Sequence, residues 1–343
     1  PLVDWDGWAT WGLKAKFLHA AAIPGLRDYF YDVSLSFSHL DYPLLVAFLT
    51  AGSFGAMGAT DDALGKLPML LLYGGYALVL YGVMRARLPR PMAAALTSIA
   101  TSAPVSLHWA ATGGADMPLT IFYAASIGFL VRWLGGGERS DLRLAFFFSA
   151  ACVFTKNEGM PLAAINVVAA GLFVWLRGSP KERRAELVSA VLGLALLLLP
   201  WLWFRHLLPH TDENYFARLN QEAFRQGWAR VPTVWARMAD LVVPGQGYNC
   251  VPVLCVGALA ASALTGLRLE AVALLFLLCA HLAADLVAYV ITPWPDVDVL
   301  LKMTLARVLL HAMPAAIFLA AFGLAGILGH AGLATDDQKR SSV

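Results

Sequence analysis

Charge is what this chain of 343 residues has least of: Asp, Glu, Lys and Arg make up 14%, against 59% hydrophobic residues and a mean hydropathy of +0.64. So little polar surface cannot solvate a globule of this length, which excludes a water-soluble fold and leaves lipid as the main solvent. The formal net charge is +2, so there is neither a basic footprint for nucleic acid nor an acidic tail, and no nucleic-acid partner is expected. Cysteine is also scarce. The four are scattered at 152, 250, 255 and 279, which gives neither a disulfide framework nor paired zinc spacing; only Cys250 and Cys255 stand close enough to pair, and the plainer reading is small apolar fillers. No secretory leader is visible. The opening Pro-Leu-Val-Asp-Trp-Asp-Gly-Trp has neither a charged start nor an apolar core, the chain begins at Pro1 without methionine, and a further membrane helix is expected ahead of it. No internal repeat is visible, where inverted repeats would have pointed to a transporter.

What the chain does have is apolar runs. A helical crossing needs roughly 20 apolar residues, and nine such runs can be marked, near 64–84, 92–111, 116–134, 143–157, 159–176, 186–207, 250–266, 270–291 and 305–329. The fourth is short and parts from the fifth only at the polar knot Lys156-Asn157-Glu158-Gly159, so it is read as a helix that ends against protein within the membrane. The expected fold class is therefore all-α, a polytopic transmembrane bundle forming one domain over 1–335, with a tail at 336–343. If the nine runs alternate, Arg85, Arg87 and Arg90, then Arg139 and Arg143, then Arg177, Lys181, Arg183 and Arg184, then Arg268, and finally Lys339 and Arg340 all fall on one side. By the bias of Lys and Arg toward inner loops, that side is the cytoplasm.

The opposite face then collects 1–63, the turn Gly113-Gly114-Ala115-Asp116, the knot 156–159, the stretch 208–249 and the loop 293–304. Glu213 to Val243 mixes Tyr215, Phe216, Leu219, Phe224, Trp228, Val234 and Trp235 with Arg218, Arg225, Arg230 and Arg237, a pattern that suits one or two helices lying in the interface. On the same face, Asp4 and Asp6 stand two apart, followed by Trp8, Trp11, Lys14 and Lys16. Carboxylates, indoles and cations together offer a base, a stacking surface for a sugar ring and a hold on phosphate. The bland alternative is a tryptophan-anchored interfacial helix with an acidic cap. Three further motifs accompany them: His39-Leu40-Asp41-Tyr42-Pro43, then Asp116-Met117-Pro118-Leu119 opening a membrane helix, and finally Thr304-Leu305-Ala306-Arg307 near the far end.

With these motifs the chain resembles the polytopic glycosyltransferases of the GT-C fold, the broad group of protein O-mannosyltransferases and lipid A aminoarabinose transferases. The resemblance runs from Asp6 to Pro314 but rests on short motifs. It implies a bundle of that fold in a bacterial inner (plasma) membrane, with its active site on the periplasmic side. It implies a polyprenyl-phosphate sugar donor and a lipid, glycan or protein acceptor. Asp6, followed by Trp8 or Trp11 and Lys14, matches the family's first-loop acid that serves as base, with Asp4 as the alternative. His39 before Tyr42-Pro43 matches the family's basic residue ahead of a Tyr-Pro pair, and Asp116 matches an acid opening a later helix. Gly7 departs from the family's commoner Asp-Glu pair, and the large soluble C-terminal domain of some relatives is lacking. A divalent cation, Mg or Mn, is used by some relatives and not by others; Asp4 and Asp6 would be its ligands here, with Glu158 as a third ligand, a helix cap or, in the simplest reading, a partner for Lys156.

The physical requirements of glycosyl transfer point to the same residues. A carboxylate takes the acceptor hydroxyl's proton and cations hold the phosphate as charge develops on the leaving group, with inversion expected because no enzyme nucleophile intervenes. Lys14, Lys156, Lys302 and Arg307 are the cations on that face, and Asp41 and Tyr42 join the substrate-facing set. Arg307, just inside its helix, wants an anion, either phosphate or Asp285 on the neighbouring helix. His281 with Asp285 and Arg307 with His311 are four apart and share helix faces, in supporting roles. His206 and His210 have the spacing of a metal pair, but Pro209 interrupts the helix and no third ligand is evident, so no metal is expected there. Two rivals remain: a secondary transporter or lipid flippase, which would use His281 and Asp285, and an O-antigen-type polymerase or ligase, which would lean on Arg218 and Arg225.

Overall fold

The computed structural model describes residues 2, 4–21, 23–178, 180–209, 215, 217–242, 247–266 and 268–330. The expected tail at 336–343, with Lys339 and Arg340, lies outside them, as do His210, Glu213, Phe216 and Val243 of the stretch 208–249. Among the described residues the fold is all-α, with no strand.

A wide π-helical turn, Asp6–Gly12, runs straight into α1 (Leu13–Ala20), and α2 (Ile23–Tyr31) and α3 (Leu45–Met57) complete the first loop. The bundle then follows: α4 (Leu67–Arg85), α5 (Arg90–Thr101), α6 (Pro104–Thr112), α7 (Asp116–Leu134), α8 (Arg139–Thr155), α9 (Gly159–Leu176) and α10 (Lys181–His206). Two short helices, α11 (Gln221–Gly227) and α12 (Val231–Val242), occupy the stretch expected to lie at the interface, with Trp228 and Trp235 exposed. The chain closes with α13 (Val251–Thr265), α14 (Leu269–Ile291), α15 (Val297–Leu310) and α16 (Met313–His330).

Six helical segments are long and apolar enough to cross a bilayer: Leu64–Arg85, Asp116–Leu134, Gly159–Leu176, Lys181–His206, Leu269–Ile291 and Met313–His330. All six fall on expected runs, so the protein is a polytopic membrane protein. The other three runs differ. The run at 92–111 is divided into α5 and α6, because Pro104 lacks an N–H and pushes Ala103 into an extended conformation. The carbonyls freed there are not orphaned, since Asn249 donates to Ile99 O at 2.9 Å and Ser106 to Ala100 O at 3.0 Å. The runs at 143–157 and 250–266 become α8 and α13, of 17 and 15 residues. The last run also splits, at His311-Ala312 ahead of Pro314, so that Arg307 belongs to α15 and not to the crossing helix α16.

The bundle is organised around α7, which packs on α4, α8, α9, α14 and α16. Its crossing window is 83% buried, whereas that of α10 is only 17% buried. Exposed leucines (Leu192, Leu196 and Leu199 on α10, Leu71 and Leu78 on α4) face outward, the inverse of a water-soluble pattern and what a lipid surround requires. Polar groups turn inward and pair. Asn166 of α9 donates to Ser126 of α7 at 2.8 Å and to Ser149 of α8 at 3.1 Å, and the two serines share a bond of 2.8 Å, so one buried knot ties three helices.

The helix ends sort by charge. At one end, where α4, α7 and α9 finish and α8, α10 and α14 begin, Arg87 meets Glu270 at 2.8 Å, Arg132 meets Asp141 at 3.3 Å and Arg139 meets Glu186 at 3.4 Å. The other end holds Asp6, Asp116, Lys156 and Arg307.

Candidate functional site

Four segments far apart in sequence meet at that second end. Asp6 lies in the π-helical turn, Asp116 opens α7, Lys156 stands in the extended link between α8 and α9, and Arg307 lies in α15. The Arg307 guanidinium binds the Asp6 carboxylate directly and stands 3.9 Å from Asp116 Oδ2. Lys156 Nζ is 2.8 Å from Asp116 Oδ1 and 2.8 Å from Glu158 Oε1. His311 Nε2 is 3.5 Å from Asp116 Oδ1. Asp116 is thus buried among three basic side chains, while Asp6 keeps 27% of its side chain exposed.

Local sequence explains how these groups come so close. A Cβ on Gly7 would lie 2.7 Å from the carbonyl of Thr112, so only glycine beside Asp6 lets the first turn rest on the backbone that leads into Asp116. Gly113, at φ +78°, ends α6 in the left-handed conformation and turns the chain into α7. Trp109 of α6 sets its ring 5.8 Å from the Arg307 guanidinium. Asp4 stands close enough to feel Asp6 and Arg307; partial burial, with the neighbouring Asp6 charge, raises its pKa above the ordinary aspartate value.

Other expected site residues have different surroundings. Lys14 does not face the opening: it is fully buried, donates to Ser38 O at 2.7 Å and His39 O at 2.6 Å, and lies over the Trp11 and Tyr42 rings. Burial lowers its pKa to about 7 despite Asp41 nearby. It pins the first loop. His39 adopts φ 50° and stacks on Tyr42 with centroids 4.5 Å apart, and Asp41 is buried with Arg205 of α10 at 3.5 Å. Trp11 is buried, whereas Trp8 is exposed and packs edge-on against Trp5. Lys302 is exposed on α15, in no ion pair among the described residues.

The anion that Arg307 needs is Asp6 together with Asp116, not Asp285. Asp285 instead has His281 Nε2 at 3.5 Å, and the His281 ring stacks on that of His311 with centroids 6.4 Å apart. A buried polar file therefore runs from the cluster to the middle of α14. His311 was visible in the sequence only as a neighbour of Arg307, and Trp109 and Arg205 carried no signal at all, because their roles depend on which helices touch. All four cysteines are free, Cys250 and Cys255 included. Among the described residues no group of three or more His, Cys, Asp or Glu has the geometry to hold a metal ion. Arg218 donates to Ile291 O at 2.6 Å, tying the stretch 208–249 to the end of α14. Compared with known proteins, the chain matches no family model, no curated sequence and no solved structure.

Proposed function

We propose that this protein transfers a sugar from a polyprenyl-phosphate donor to an acceptor hydroxyl at the non-cytoplasmic face of the membrane, with inversion. The observation that carries the reading is the meeting of Asp6, Asp116, Lys156 and Arg307 at one helix end, away from the arginine-rich end that the positive-inside bias assigns to the cytoplasm. Buried charges far apart in sequence are expensive to assemble and are kept chiefly where they act on something.

In this reading Asp6 is the base, because it is a partly exposed carboxylate of the cluster that is bound directly by Arg307. It takes the acceptor hydroxyl's proton as the oxygen attacks the anomeric carbon, and the sugar–phosphate bond breaks with its electron pair leaving on the phosphate. Arg307, divided between Asp6 and Asp116 in this structure, turns to the developing phosphate charge. Asp116, itself paired with Lys156, orients Arg307, and exposed Trp8 offers a face for the sugar.

The test is transfer by purified protein in detergent from a panel of labelled polyprenyl-phosphate sugars, with Asp6→Asn and Asp4→Asn beside the wild type. Asp6→Asn should lower transfer at least about 100-fold, and because asparagine still offers an oxygen to Arg307, its melting temperature should stay near that of the wild type. Full transfer in both variants would remove the base. The second reading, a secondary transporter, is favoured by His281 and Asp285 near the middle of α14. A wild type without transfer that couples a proton gradient to solute uptake in proteoliposomes would replace the first reading with that one.

A further inference from the structure

The opposite end of α7 holds a second site that takes no part in the proposed transfer. A pocket of ≈ 200 Å³ opens there between the ends of α7 and α9 and the start of α10, lined by Trp133, Leu134, Phe173, Val174, Arg177, Pro180 and Arg183. Its floor is apolar, with Leu134, Phe173 and Val174 all buried. Its rim carries two guanidiniums. Arg177 donates to Leu134 O at 3.0 Å, and Arg183 donates to Trp133 O at 2.8 Å and lies 5.0 Å over the Trp133 ring.

Neither arginine has a carboxylate partner among the described residues, unlike Arg87, Arg132 and Arg139 at the same end. Two acids stand in the first two turns of α10: Glu182 is exposed, and Glu186 is already engaged by Arg139 at 3.4 Å and by the Trp133 indole N–H at 3.3 Å. Lys181 and Arg184 add exposed positive charge in the first turn of α10, a helix of 26 residues that starts at the pocket wall with no side-chain cap on its N–H groups. Two cations satisfied only by carbonyls beside an uncapped helix start make a site for an anion.

Position decides which anion. α7 leads from Asp116 to Leu134 in 19 residues, about 27 Å at 1.5 Å per residue, close to the thickness of a hydrocarbon core. The pocket therefore lies where head groups meet acyl chains. We propose that it binds an anionic phospholipid: the phosphate sits between Arg177 and Arg183, and the glycerol and first methylenes rest on Leu134, Phe173 and Val174. Free phosphate would use the arginines but leave the apolar floor uncovered.

Native mass spectrometry of the whole protein, with matched additions of phosphatidylglycerol, phosphatidylcholine or inorganic phosphate, tests this. The wild type should retain phosphatidylglycerol in preference to phosphatidylcholine, with no retention of inorganic phosphate. Arg177→Gln with Arg183→Gln should cut that retention about tenfold, while Arg143→Gln, an exposed charge at the same end, should leave it unchanged. Should the double variant fail to fold, Arg177→Gln alone, which removes one exposed guanidinium and a single carbonyl bond, should still cut retention about threefold. Equal retention of the two lipids, retention undiminished in the arginine variants, or inorganic phosphate held as firmly as the lipid would each overturn the proposal.

Discussion

The two ends of the bundle carry similar residue types and use them in opposite ways. At the arginine-rich end, ion pairs have at least one half-exposed or partly exposed partner, as in Arg132 with Asp141 or Arg87 with Glu270, and Arg177 and Arg183 bind backbone carbonyls. At the other end, Asp116 and Lys156 retain 3% and 4% of their side-chain exposure and pair with each other. Exposed charge at a helix end costs little and records orientation, while buried charge must be matched group by group. The contrast separates residues that place the protein in its membrane from residues that constitute its candidate site.

Removing one partner at each end is the most direct way to break this comparison. Asp116→Asn should destabilise the protein by about 3–5 kcal/mol, because it leaves Lys156 and Arg307 facing each other without their shared counter-charge. Arg132→Ala should cost about 0–1 kcal/mol, since its guanidinium is half exposed. Unfolding in a denaturing-detergent series would measure both, and equal losses would mean that burial does not distinguish the two ends.

Lys14 sharpens the comparison, because it is a buried cation that is held by carbonyls and feels Asp41 without forming an ion pair with it among the described residues. Its pKa is about 7 in the folded protein and 10.5 when unfolded. Between those values the unfolded chain binds more protons, so stability should rise with pH, by up to about 1.4 kcal/mol per unit. Below about pH 7 both states are protonated and the slope vanishes. Melting temperatures between pH 6.5 and 9.5 should show this rise in the wild type and lose it in Lys14→Met.

An effect well below that of Asp116→Asn is expected midway between the ends. Asn166→Ala removes two neutral hydrogen bonds but leaves Ser126 bonded to Ser149, so the loss should be about 0.6–2 kcal/mol in the same unfolding series. A loss as large as that of Asp116→Asn would show that helix ties, not charge, dominate the bundle's stability.

Much of this architecture is legible in the sequence. Six apolar runs coincide with helices able to cross a bilayer, and the arginine clusters gather at one end, because hydropathy and charge act through the immediate surroundings of each segment. Asp6, Asp116 and Arg307 are singled out by their motifs, but the sequence leaves the partner of Arg307 open between phosphate and Asp285. What one dimension hides is direction. Lys14 sits two residues past the π-helical stretch and points back into its own loop, where Ser38 and His39 offer carbonyls. Arg307 finds Asp6 and not Asp285, on a run that breaks at His311-Ala312 ahead of Pro314.

Asp6 and Arg307 are 301 positions apart, and this separation has a consequence for biosynthesis. At roughly 5–20 residues per second of translation, the first carboxylate waits on the order of 15–60 s for its guanidinium to emerge. Until then the opening turn can stay wet at the membrane surface, held by its tryptophans. The finished ion pair therefore forms only after the chain has been made through α15.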